Sequence, residues 1–255
     1  MVSNSSLNVK PTGIADFDKI LGGGIPAGWF IALRGGAGVG KTTLAIQFLL
    51  DGVLKYHDPG LLVTFNEPLP ALNAIMGNYG WDLQGLQDMG ELSVLDFSST
   101  EMGIMQQASR LREASLDYVT QKIIDEVRRL GVNRLVIDPL NTFSLLFRDQ
   151  FEVRKELHRV IGVLWEEKCT TLAVYENTDD KVVDPSNPTF STEDFLSYGV
   201  INLQYFRFSS QRNRGIEILK LRGMNHSKQI HPFEITEKGI KIDPDNSLAF
   251  EDKID

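Results

Sequence analysis

Cysteine is almost absent: Cys169 is the only one in 255 residues. One thiol excludes an internal disulfide and any metal centre built on several cysteines, and it fits a reducing compartment. Long apolar runs are missing too. No stretch approaches the roughly 20 uninterrupted apolar residues of a membrane helix. The 42% hydrophobic and 24% charged residues are otherwise the ordinary balance of a globular chain. The opening MVSNSSLNVK has neither the basic nor the apolar segment of a secretory leader. The expectation is a cytoplasmic protein with no membrane attachment, in which the Asn-x-Ser matches at Asn4 and Asn225 carry no glycan. Positive charge is also short, with 26 Lys and Arg against 34 Asp and Glu, a net charge of −8. A domain that grips duplex nucleic acid through its phosphates shows the opposite balance or a strong basic patch. The total argues against bulk DNA binding and leaves room for a local basic loop.

What is present is an alternation of strand-like and helix-like segments. Apolar strand runs occur at WFIALRG (29–35), LLVTF (61–65), LSVLDF (92–97), RLVID (134–138) and TLAVY (171–175). Between them, KTTLAIQFLLDGVLKY (41–56) has helical spacing, with Leu44, Phe48 and Val53 among its apolar positions, and a second helical stretch covers about 115–130. Residues 151–168 carry Leu157, Val160, Ile161, Leu164 and Trp165 at i, i+3, i+4 spacing, an amphipathic helix. Continuous apolar strands separated by helices predict a mainly parallel sheet flanked by helices on both faces. After a polar loop (177–190) the pattern changes: GVINLQYF and GIEILKLR flank RFSSQRNR, a C-terminal antiparallel β hairpin. No internal repeat or composition break marks a second domain. The chain reads as one α/β domain, residues 1–255, with its core at 11–242 and an acidic tail at 243–255.

GGAGVGKT (35–42) fits G-x-x-x-x-G-K-[ST] and sits between an apolar strand and a helix, as its chemistry requires. From Gly35, Gly36, Ala37, Gly38, Val39 and Gly40, backbone N–H groups can curl around a phosphate with no side chain in the way. The helix that follows directs its positive end at the same anion. Lys41 is placed to reach the β- and γ-phosphates, and the Thr42 hydroxyl to ligate Mg²⁺. A second magnesium ligand is expected at the end of a neighbouring strand, where RLVIDP supplies Asp138. A Gly-rich turn that happens to hold a lysine, and a turn aspartate, are the plain alternatives.

In this order, these residues resemble the RecA-like P-loop NTPases and, within them, the KaiC-like branch. The resemblance runs from PTGIADFDKILGGGIPAG (11–28) through GWDL (80–83) and LKLRGMNHSKQI (219–230) to HPFEITEKGI (231–240). It implies a RecA-like core that binds ATP with Mg²⁺, and a ring, usually hexameric, with ATP held between neighbouring subunits. ATP rather than GTP follows from the resemblance alone. Nucleotide contact extends to Thr43 and, across the interface, to Lys220, Leu221, Arg222 and His226. In KaiC-like rings the lysine and arginine matching Lys220 and Arg222 reach the γ-phosphate of the adjacent subunit's ATP, an arginine finger supplied in trans. Strand geometry agrees: positions 220 and 222 project from one face, with Leu219 and Leu221 turned the other way. A basic solvated strand face is the competing reading.

KaiC-like proteins typically carry two adjacent glutamates at the end of the strand after the phosphate-loop helix. Here FNEP reads Asn66-Glu67. An amide has negligible basicity near neutral pH, whereas a carboxylate can orient and deprotonate water. The expectation is slow hydrolysis, with Glu67 as base, Asn66 positioning the water, and Lys41, Lys220 and Arg222 neutralising charge. Successive strand residues face opposite ways, so Glu67 needs a twist before Pro68 to enter the site.

Three rival readings stay open. Arg207, Arg212 and Arg214 interleaved with Phe206 and Phe208 suit stacking on single-stranded nucleic acid, a recombination-type role, while Asp179, Asp180 and Asp184 in the 177–190 loop oppose it. Asn66 motivates a non-hydrolysing, ATP-gated scaffold. Autophosphorylation, found in some KaiC-type domains on a Ser-Thr pair, meets Asp194-Phe195 at that place, and Ser191 and Thr192 read as the cap of a short helix, STEDFL. Glu176 is placed to couple the γ-phosphate to loop 177–190, and His57, His158 and His231 lack metal-ligand spacing. The favoured reading is a ring-forming ATPase that uses nucleotide state to regulate a protein partner.

Overall fold

The computed structural model describes residues 7–98, 112–144, 150–176, 192–208 and 211–248. Strands β1 (Val9–Lys10) and β2 (Ile25–Pro26) form a small antiparallel ribbon. Among the described residues the main sheet has nine strands. β3 (Phe30–Gly35), β4 (Gly60–Thr64), β5 (Leu92–Asp96), β6 (Arg134–Asp138), β7 (Thr170–Glu176) and β8 (Gly199–Phe208) lie parallel in the spatial order β5-β4-β6-β7-β3-β8. From β8 the sheet continues antiparallel through β9 (Gln211–Leu221), β10 (His231–Thr236) and β11 (Gly239–Ile242).

The central parallel strands β3, β4, β6 and β7 are apolar along most of their length because both of their faces are covered. Ile31, Leu33, Leu62, Val136, Leu172 and Val174 pack into one cluster with helices α1 (Ala15–Leu21), α2 (Lys41–Tyr56), α3 (Leu69–Gly77) and α4 (Leu83–Asp88). Their sequence neighbours Phe30, Leu61, Val63, Leu135, Ile137 and Ala173 pack the opposite way. They meet α5 (Arg112–Leu130) and, beyond the short α6 (Leu140–Ser144), α7 (Gln150–Glu166). The period of two sorts one unbroken hydrophobic run onto two faces. Burial of each such Leu, Ile or Phe contributes about 1.5–3 kcal/mol.

One buried cation fastens the N-terminal segment. The Arg134 guanidinium pairs with Asp58 at 3.0 Å and donates to the carbonyls of Pro11 (2.8 Å), Phe48 (3.0 Å) and Thr12. Thr12 in turn gives its hydroxyl to Asp18 at 2.7 Å, which shapes the entry to α1.

Three expectations change. The hairpin strands run to Phe208 and resume at Gln211, so most of RFSSQRNR is strand rather than loop. Trp165, assigned to the buried stripe of α7, is 44% exposed and stacks on Tyr198 with ring centroids 5.1 Å apart. The third concerns the register of β9. Val200 pairs with Lys220 but Ile201 with Ile218, leaving Leu219 as the extra residue of a β-bulge. The bulge shifts the parity of everything after it. Ile216 and Ile218 pack into the α2-side cluster, and so does Leu221, while Lys220 and Arg222 are re-aimed to the opposite face. Lys220 and Arg222 do share a face, as expected. Leu219 achieves this by bulging, not by alternating.

Candidate functional site

A cavity of about 410 Å³ opens at the C-terminal ends of β3, β4, β6 and β7. Four neighbouring strand ends deliver its polar lining, because parallel strands place all their C-terminal edges on one side of the sheet. The loop between β3 and α2 supplies Gly38 and Gly40, and the start of α2 supplies Lys41, Thr42 and Thr43; the turn after β4 supplies Asn66 and Glu67; β6 supplies Asp138; β7 supplies Glu176.

The loop needs its glycines for two separate reasons. Gly40 caps α2 at φ 115°, a conformation that L side chains rarely adopt. Gly35 lies so close to β8 that a Cβ there would run into the Leu203 carbonyl. Lys41 is 5% exposed, donates to the Gly36 carbonyl at 2.8 Å and lies 3.7 Å from a Glu176 carboxylate oxygen. Burial pulls its ammonium below the usual lysine range, and Glu176 and Asp138 oppose that shift.

The Thr42 hydroxyl donates to Asp138 at 2.7 Å, joining the residue that follows the loop lysine to the end of β6. Desolvation raises the Asp138 carboxyl from 3.8 to about 6, against the pull of Thr42 and Lys41 and with Glu67 and Glu176 adding repulsion. A recessed carboxylate and hydroxyl side by side, between two further carboxylates, form an all-oxygen set that suits a hard divalent cation. Among the described residues no group of three or more His, Cys, Asp or Glu has the arrangement of a protein-only metal centre.

Asn66 and Glu67 both line the cavity. Strand alternation does not separate them because β4 ends at Thr64 and the chain bends from Phe65 to Glu67. That bend is tied down: Phe65 N–H donates to the Asp138 carbonyl at 3.0 Å, and the Thr64 hydroxyl to the Glu67 carbonyl at 2.7 Å. Two side chains of α6, which the sequence did not single out, finish the frame. Thr142 donates to the Asn66 side-chain oxygen at 3.1 Å. Asn141 clamps the Glu176 main chain, accepting from its N–H at 2.7 Å and donating to its carbonyl at 3.0 Å. α6 follows Asp138 directly, so it bridges the ends of β4 and β7 on either side of β6. Tyr79, Leu72 and Ile235 give the cavity an apolar wall; Tyr79 adjoins GWDL, and its ring lies 4.9 Å from that of Trp81.

A Gly-rich loop before a helix, a hydroxyl–carboxylate pair at its foot and carboxylates at adjacent strand ends together form an arrangement suited to a nucleoside triphosphate. The family model described as "ATPase: KaiC" matches residues 10–247. The chain belongs to the KaiC family of ATPases. It is 36% identical over 235 residues to the circadian clock oscillator protein KaiC of Parathermosynechococcus lividus, covering 92% of this chain and 42% of that one. The KaiC of Synechococcus elongatus is 33% identical over 235 residues, covering 91% and 44%. That of Thermosynechococcus vestitus is 34% identical over 248 residues, covering 94% and 45%. The chain thus spans less than half the length of these KaiC relatives. The RecA-like KaiC fold expected from the sequence is the one found, and no helix among the described residues is long and apolar enough to cross a membrane.

The other group of candidate residues stands apart from the KaiC-type cavity. Lys220 donates to the carbonyls of Asp194 (2.8 Å) and Ser197 (2.7 Å), and Arg222 to that of Phe195 (2.8 Å). Both therefore cap the C-terminal end of α8 (Thr192–Leu196). α8 is itself seated by the buried Arg34–Asp194 pair at 2.8 Å. His226 hydrogen-bonds the Ser227 carbonyl and Lys228. The Leu221 side chain is in the core, which leaves only its main chain for a ligand. None of these four lines the cavity.

The hairpin corrects the nucleic-acid reading in one respect. Phe206 is 7% exposed and cannot serve as a stacking platform. Arg212 and Arg214 lie against Tyr205 instead. The side chains of Arg207 and Phe208, the loop 177–190 and Ser191 fall outside the described residues. His231 is a buried structural residue, bonded to Ser227 at 2.6 Å and to the Asn246 carbonyl at 2.9 Å.

Proposed function

We propose that this protein binds Mg·ATP at the phosphate loop, assembles into a ring, usually a hexamer, and hydrolyses ATP slowly at the subunit interfaces. Its nucleotide state would set the shape that a protein partner reads, in the cytoplasm. The observation that carries this reading is the split between two groups. Lys41, Thr42, Asn66, Glu67 and Asp138 converge on one cavity, while Lys220 and Arg222 of the same chain stand on a separate face. A second copy would bring those two cations to the first copy's phosphates.

In this reading the loop N–H groups and Lys41 cradle the β- and γ-phosphates. Thr42 and Asp138 would hold Mg²⁺, which supplies charge neutralisation on the phosphate oxygens. Glu67 accepts a proton from the water whose oxygen attacks the γ-phosphorus, and the bond to the β-phosphate oxygen breaks. Asn66 hydrogen-bonds that water or a phosphate oxygen. Lys220, Arg222 and His226 approach from the neighbour and stabilise charge on the departing phosphates.

Phosphate release from Mg·ATP, with assembly followed by sizing, tests the proposal in wild type, Glu67→Gln and Arg222→Ala. Turnover in wild type, lost in both variants while rings persist, is the expected result. ATP-dependent assembly without phosphate release in wild type would instead establish the gated scaffold, with Asn66 as its cause.

A further inference from the structure

A side chain of the hairpin reaches the phosphate loop. The Tyr205 hydroxyl donates to the Gly38 carbonyl at 2.7 Å, across 167 residues of sequence. The tyrosine is held in turn by two arginines of β9. Arg214 faces it across the ladder, with its guanidinium 5.3 Å from the ring centroid and Nη2 3.4 Å from the hydroxyl. Arg212, the diagonal neighbour, places its guanidinium 3.6 Å from the same centroid.

The partner atom gives this contact its meaning. Gly38 sits at φ 72° in the middle of GGAGVGKT. Its carbonyl shares one rigid peptide plane with the Val39 N–H, and in a trans peptide the two point in opposite directions. A hydroxyl that draws the carbonyl toward the hairpin therefore turns the Val39 N–H away from it. A phosphate loop binds through the directions of such N–H groups, and directions set in advance cost nothing to set on binding.

We infer that Tyr205 is a positioning residue for the nucleotide, orienting the phosphate loop through Gly38 and itself oriented by Arg212. The inference rests on the phosphate loop holding nucleotide, as proposed above. It also links the hairpin to nucleotide affinity: whatever disturbs Arg212 disturbs the loop through one hydroxyl.

The test is equilibrium binding of a fluorescent ATP analogue with Mg²⁺ to wild type, Tyr205→Phe, Arg212→Ala and the double variant, beside their melting temperatures. Tyr205→Phe removes one oxygen and keeps the ring. The bond is solvent-exposed, so the melting point should hold while binding weakens about three- to tenfold. Arg212→Ala should weaken binding less, and the double variant should bind like Tyr205→Phe alone, because the arginine acts through the hydroxyl. Unchanged binding in Tyr205→Phe, or penalties that simply add, overturns the inference. Lys41→Ala is the control for the broader reading. If it binds as wild type does, the loop is not the nucleotide site and both statements fall; if it loses binding while Tyr205→Phe does not, only the tyrosine's role falls.

Discussion

Thr42 and Asp138 meet at 2.7 Å although 96 residues separate them in the chain. One lies at the start of α2 and the other at the end of β6, and the sheet order β4-β6-β7-β3 brings both to the same edge. Their contact holds the carboxylate that a cation would need, at a place where water is scarce.

That scarcity costs stability. Asp138 titrates at about 6, against an ordinary 3.8. A carboxyl whose folded pKa is raised contributes stability that is complete below pH 3.8 and lost as pH rises through about 6. At pH 8 the buried charge costs about 1–3 kcal/mol. Asp138→Asn, without nucleotide, should therefore melt higher than wild type at pH 8, with the gain shrinking toward pH 4. The same variant should lose Mg-dependent nucleotide binding. A lower melting point at pH 8 would show that Asp138 does not bear this cost.

Asn66→Glu restores the paired glutamates to a bend already held by Phe65, Thr64 and Thr142. Phosphate release should rise several-fold over wild type, and Glu67→Gln in that background should retain activity if the restored carboxylate serves as base. Equal turnover in Asn66→Glu and wild type would place the whole of base catalysis on Glu67.

Glu67→Gln and Arg222→Ala subunits should each be inactive alone and partly active when mixed. At equal mixing roughly a quarter of interfaces pair an intact Glu67 with an intact neighbouring Arg222. Recovery of phosphate release on mixing is the measurement. No recovery, with mixed rings verified by mass, would rule out action in trans.

Asp194 is 1% exposed and pairs with Arg34, itself 3% exposed, while its carbonyl accepts from Lys220. Asp194→Ala removes the carboxylate that pairs with Arg34 and unseats α8, so urea unfolding should show a loss of about 1–3 kcal/mol. A loss under about 0.5 kcal/mol would mean that the pair does not hold α8.

Much of the site could be read from the chain because its chemistry is local. GGAGVGKT needs only its own neighbours to form a glycine-rich turn at the start of a helix, and the five apolar runs that became β3 to β7 announce themselves by uninterrupted hydrophobicity. Helix α2 follows from the loop that starts it. The small helices α3, α4 and α6 were not legible, being too short for a hydrophobic period to repeat. The bulge at Leu219 was hidden for a related reason: one extra residue is invisible until the strand has a partner to be out of step with.

By itself, then, the sequence determined the layered α/β core, the glycine-rich loop with Lys41 and Thr42, the strand-end Asp138 and the Asn66-Glu67 pair, because each is written within a few consecutive residues. Only the tertiary structure decided which of these converge. It placed Asn66 and Glu67 together at one cavity by ending β4 early, bound Asn66 through Thr142 and Glu176 through Asn141, set Tyr205 against Gly38, and sent Lys220 and Arg222 to another face. Those outcomes depend on strand order, register and the angle of a bend, quantities that arise only when distant segments pack against one another.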